Sequence, residues 1–166
     1  LKAKALAEQC IHLFYRAEKR YFAFTQTDSL IAEKFDINDD VISSGNSIMA
    51  HNLFTLSWYF DREDWRLMSL DMLRGVSELL QKSGPWHSHW AALCLRAENP
   101  CIQHILSCEN SALKGPNYNE IKTNPNTLFG YVGAGTEIPL FKGKEYQGKK
   151  FVYRCEDKTC GLPSNF

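Results

Sequence analysis

Apolar residues recur at three- and four-residue spacing through roughly the first hundred positions, and that spacing predicts a series of amphipathic helices. Ala3, Leu6, Ala7, Cys10, Phe14 and Ala17 form one such stripe. Tyr21-Phe22-Ala23-Phe24-Thr25 then changes to aromatic and β-branched residues, with turn formers at Thr27-Asp28-Ser29, which predicts an extended segment or short hairpin. A second helix is predicted over 46–60, with Met49, Leu53, Leu56 and Phe60 inward. A third is predicted over 63–82, where Trp65, Met68, Met72, Val76, Leu79 and Leu80 share a face. Gly84-Pro85 ends it, because Gly accepts a left-handed backbone after a helix and Pro cannot continue one. A fourth, over 86–97, stops at Asn99-Pro100. Consecutive helices with short connections pack as antiparallel hairpins.

The pattern changes at Pro100. Segments 101–108, 126–132 and 150–155 read as strands, and a short helix is predicted over 118–122. Seven of the ten glycines and five of the six prolines lie at or beyond residue 100, which places a domain boundary there. The expected organisation is a helical segment over 1–99 and a small three-stranded α/β unit over 100–166.

Composition narrows the function classes. The 166 residues are 44% hydrophobic and 13% aromatic, values of a folded domain. Lys+Arg and Asp+Glu both number 19, and no basic run interleaves with aromatics, so nothing favours nucleic acid or an anionic membrane. No apolar stretch approaches the ~20 residues needed to cross a bilayer. Cys10 and Cys94 sit on apolar helical stripes, where a free thiol behaves as a small hydrophobe, and this cysteine usage points to a cytoplasmic location. Leu1 opens in the middle of an amphipathic pattern, so the chain reads as a piece of a longer protein.

The most chemical segment is Asp39-Asp40-Val41-Ile42-Ser43-Ser44-Gly45-Asn46-Ser47, which runs directly into Ile48-Met49-Ala50-His51. A polar loop ending at a helix N-terminus offers unpaired backbone N–H groups and a partial positive charge. Asp39 and Asp40 could act there as acid and base, whereas the plainer reading is that Ser43 or Ser44 caps the helix. Cys155 and Cys160 form a candidate thiol pair with three readings: structural cysteines, a disulfide or redox pair, or two of the four ligands zinc requires. No metal site is assigned. His87 and His89, two residues apart, do not share a helix face, and Trp86 and Trp90 are one turn apart. Gly133-Ala134-Gly135 lacks the remaining glycine and following helix of a phosphate loop, so no cofactor is predicted.

Two segments in register carry a family resemblance: Ser44-Gly45-Asn46-Ser47 with His51-Asn52-Leu53, and the tail Cys155-Glu156-Asp157-Lys158-Thr159-Cys160-Gly161-Leu162-Pro163. Together they resemble thioredoxin-domain-containing proteins of the spermatogenesis-associated type, with Ser43 standing where that family has proline. The resemblance implies the end of an α/α toroid of the six-hairpin-glycosidase kind, followed by an α/β tail, with a thioredoxin-like domain upstream. It also implies a carbohydrate-processing or sugar-binding protein of epimerase or glycosidase-like type. In that setting Asp39, Asp40 and His51 would be catalytic, and Ser44, Asn46, Ser47 and Trp86 would hold the sugar. The alternative is a non-catalytic scaffold positioning a thioredoxin-like domain or protein partner. A fragment of a toroid would expose helix faces and is expected to self-associate.

Overall fold

A computed structural model describes residues 1–26, 33–109 and 124–165, and the chain divides into two units, Leu1–Cys94 and Leu95–Phe166. The predicted turn at Thr27-Asp28-Ser29 and the predicted helix over 118–122 lie outside the described residues.

In the first unit α1 (Lys2–Phe14) ends where Tyr15 takes an extended backbone and leads into a two-stranded ribbon, β1 (Tyr15–Arg16) and β2 (Tyr21–Phe22). Of the predicted α1 stripe only Ala7 is buried, and Leu6 lies open. Ser44 starts α2 (Gly45–Phe60), its Oγ accepting from Ser47 N at 3.1 Å. Asp61 ends α2 in a left-handed conformation, and α3 (Glu63–Gly75) packs back on it. Leu53, Phe54, Phe60, Trp65 and Met72 form the core of this pair.

The helix predicted over 63–82 is broken. Val76 leaves helical geometry after Gly75, and α4 (Ser77–Ser83) is a separate seven-residue piece. Gly75 lies at a close approach beside the break: a Cβ there would collide with the Tyr21 phenol, whose hydroxyl donates to Met72 O at 3.3 Å. A 3-10 turn (Gly84–His87) then leads into α5 (Ser88–Ala97).

The second unit holds β3 (Ile102–Ser107), β4 (Thr127–Val132), β5 (Phe151–Glu156), β6 (Thr159–Cys160) and β7 (Ser164–Asn165) in one mixed sheet. β3 is central, parallel to β4 and antiparallel to β5. β6 and β7 both pair with the other edge of β5. The central position explains why β3 reads as a nearly continuous buried run. Phe141 covers β4 at Gly130, where any side chain would meet its ring.

The expected fold, helical hairpins of an α/α toroid followed by a three-stranded tail, is therefore corrected. The described residues form a mixed α/β protein with five α-helices, a two-stranded ribbon and a five-stranded mixed sheet. A toroid needs repeated long helix pairs. Here α2 and α3 supply one such pair, α1 gives way to a ribbon, and α4 is too short to form another.

Gly75→Ala is expected to destabilise the chain by about 1–3 kcal/mol, because the added methyl overpacks the Tyr21 contact. Gly45→Ala, with nothing within 4 Å of the new carbon, should leave stability unchanged or slightly raised. Thermal unfolding of the two variants side by side checks both, and equal midpoints would refute the packing argument.

Candidate functional site

The polar loop and the start of α2 meet the start of α5, and Asp39 lies at the junction. Its carboxylate is 3% exposed. Oδ1 accepts from Ser44 N at 2.9 Å and from Ser47 Oγ at 2.7 Å. Oδ2 accepts from His89 N at 2.8 Å and from Trp90 N at 3.4 Å. Two of these donors are first-turn amides of α5, groups that have no partner within their own helix. The backbone N–H of Asp39 donates to Trp86 O at 2.8 Å, and Trp90 Nε1 donates to Ile37 O at 2.8 Å, so the loop is stitched to the α5 turn along its length.

Burial alone pushes the Asp39 carboxyl upward. The hydrogen bonds from Ser47, Ser44, His89 and Trp90 oppose that and hold it below its ordinary value. It is thus a persistent carboxylate with its oxygens already engaged. Such a group neither donates a proton as a general acid nor has a free lone pair aimed at a substrate.

Asp39, Ser47 and His89 invite comparison with a nucleophilic triad, but the order is wrong. Ser47 sits in the middle, its hydroxyl 2.7 Å from Asp39, 3.0 Å from Ser44 O and 3.0 Å from His89 Nδ1. The single hydroxyl proton goes to the carboxylate, the shortest and charge-assisted bond, so His89 Nδ1 carries a proton and donates to Ser47 Oγ. Ser47 is fully buried. A nucleophile needs the reverse arrangement, with a base accepting the serine proton and open space at Oγ. His51 completes the cluster: its Nε2 donates to His89 O at 2.8 Å, and the two imidazoles stack with centroids 4.0 Å apart.

Asn46 is also committed. Its Oδ1 accepts from Phe22 N at 2.7 Å, while Nδ2 donates to Phe22 O at 3.0 Å and to Asp36 O at 2.9 Å. The carboxamide serves as a strand partner for Phe22 and fastens β2 and the 33–38 segment to α2.

Of the residues singled out from sequence, Asp39, Ser44, Asn46, Ser47 and His51 gather around the α2 start. Asp40 is exposed, its backbone N–H donating to Ile42 O at 3.1 Å. Trp86 reaches the cluster only through its carbonyl, and its side chain is 55% exposed. Trp90 is fully buried. His89, absent from the expected site, contributes a backbone donor, a ring nitrogen and a stacking face. No local sequence signal marks it, because its partners are 38 to 50 residues away.

In the second unit Cys155 and Cys160 are joined by a disulfide with Cα atoms 3.9 Å apart, which leaves no thiolate for zinc. Among the described residues no group of three or more His, Cys, Asp or Glu side chains is placed to hold a metal ion, and no helix is long and apolar enough to cross a membrane.

Asp39→Asn is expected to cost about 2–3 kcal/mol, since an amide nitrogen would face backbone donors that the carboxylate now satisfies. The pH dependence has a fixed sign. A carboxyl held below its unfolded value of about 3.9 stabilises the fold above that pH and loses its contribution as pH falls through the lower folded value. The stability gap between the chain and Asp39→Asn should therefore be constant above about pH 5 and close below about pH 4, as followed by chemical denaturation at stepped pH; a gap unchanged at low pH would refute the assignment. No family model, curated protein or solved structure matches the chain, and the reading of the site accordingly rests on its geometry.

Proposed function

We propose that the chain is a non-catalytic segment of a thioredoxin-domain-containing protein of the spermatogenesis-associated type, whose helical unit positions a thioredoxin-like domain or another protein partner. The likeness is supported by Ser44-Gly45-Asn46-Ser47 at a helix start and by the Cys155 to Pro163 tail. One observation carries the non-catalytic part: the Asp39 carboxylate is buried and accepts four hydrogen bonds from the framework itself. Among the described residues the acidic turn then offers one exposed carboxylate, Asp40, where glycoside hydrolysis uses two at a set separation. With Asn46 and Ser47 also committed to backbone and carboxylate partners, the polar side chains expected to grip a sugar are spent on holding the loop.

Calorimetric titration of the chain with neutral mono- and disaccharides tests this reading, with Asp40→Asn and His51→Ala run in parallel. No heat of binding is expected, and Asp40→Asn should shift stability by no more than about 0.5 kcal/mol, as an exposed position does. Saccharide binding abolished by Asp40→Asn or His51→Ala, with the unfolding midpoint unchanged, would establish a working sugar site and overturn the proposal.

A further inference from the structure

The geometry of the β5–β6 hairpin points to a second role: we propose that Cys155 and Cys160 are an exchangeable redox pair serving a dithiol reductant, with Cys160 the sulfur that is attacked and Cys155 the resolving thiol. Cys155 and Cys160 lie directly opposite one another on adjacent antiparallel strands. They differ sharply in access: Cys155 is 1% exposed, whereas Cys160 is open to solvent on a two-residue edge strand. An exposed sulfur beside a buried partner is the arrangement in which one thiol exchanges and the other closes the ring.

The hairpin keeps its shape by means other than the sulfur bridge. Asp157 and Lys158 both have positive φ, +45° and +72°, as a two-residue type I′ turn demands. Asp157 Oδ1 accepts from Cys101 N at 2.8 Å and Asp157 N donates to Cys101 O at 3.0 Å, which pins the turn to the residue before β3. Past the bridge, Gly161 N donates to Arg154 O at 3.1 Å, and β7 continues along the same edge of β5. The bond closes a loop of only five residues in sequence separation, so it restrains little of the unfolded chain beyond what the turn already fixes. Cys101, whose backbone holds Asp157, is buried with its thiol pushed up to about 11, and does not compete as a nucleophile; Cys108 is buried as well.

The exchange balances. A thiolate of the dithiol attacks Cys160 Sγ; the bond between the two cysteine sulfurs breaks, and its electron pair leaves on Cys155 Sγ, which takes up a proton. The resulting mixed disulfide joins Cys160 to the reductant. The reductant's second thiolate then attacks its own sulfur in that bond and releases Cys160 as a thiolate, which is protonated in turn. Two electrons pass from the dithiol to the chain. In the reverse direction the Cys155 thiolate displaces the partner from Cys160 and reforms the ring.

The test uses the whole chain in buffers of graded reduced-to-oxidised dithiothreitol ratio, followed by acid quench, alkylation and peptide mass spectrometry, with circular dichroism on the same samples. Cys155 and Cys160 should become labelled together in one two-electron step while the dichroism stays constant. In glutathione disulfide, Cys155→Ser should accumulate glutathione on Cys160 about ten-fold faster than Cys160→Ser accumulates it on Cys155, following exposure. Labelling that appears only with loss of the folded signal, a pair that stays closed in excess reduced dithiothreitol, or equal glutathione capture at both positions would overturn the proposal.

Discussion

The Asp39 carboxylate sits where the first turns of α2 and α5 converge, and the donors of both are directed at it: the Ser44 amide and Ser47 hydroxyl from one side, the His89 and Trp90 amides from the other. Helix starts carry unpaired N–H groups and partial positive charge, and bringing two together without an intervening anion would leave buried donors unsatisfied. One carboxylate resolves both. The placement of His51 against His89, of Trp90 in the core and of Ile37 against the Trp90 indole all follow from that junction.

The same constraint separates proximity from catalysis. Aspartate, serine and histidine within hydrogen-bonding distance are the ingredients of acyl-transfer chemistry, yet the direction of each proton and the burial of the hydroxyl decide what they do. Here the proton points from Ser47 to Asp39, and Ser47 is fully buried. The β5–β6 hairpin is the opposite case: its backbone is bonded independently of the sulfurs, and one of its two cysteines is exposed.

Much of the local structure is legible in the residue order. Ser44 as a cap, Leu53 and Phe60 on the buried face of α2, and the strands around 101–108, 126–132 and 150–155 follow from nearest-neighbour chemistry, whereas Met49 and Leu56, expected inward, are half-buried beside a face that also takes Asn46, Ser47, Ala50 and Ser57. What escapes is set by distant contacts. The need for glycine at 75 is set by Tyr21, 54 residues earlier. The role of His89 depends on Asp39, 50 residues away. β6 and β7 are two-residue strands that exist only through their pairing with β5, so no periodicity can announce them. The toroid expectation failed for a related reason: helical periodicity reports which face of a helix is apolar, not whether its neighbour is another helix, a ribbon or a sheet.

The Asn46 carboxamide has a further effect. By occupying both the N–H and the carbonyl of Phe22, it removes from the short ribbon the pairing groups that an incoming strand would otherwise seize. A side chain drawn from a helix acts as a plug on a sheet margin, and the protein gains resistance to edge-to-edge aggregation at that point without having to place a charge or a proline there.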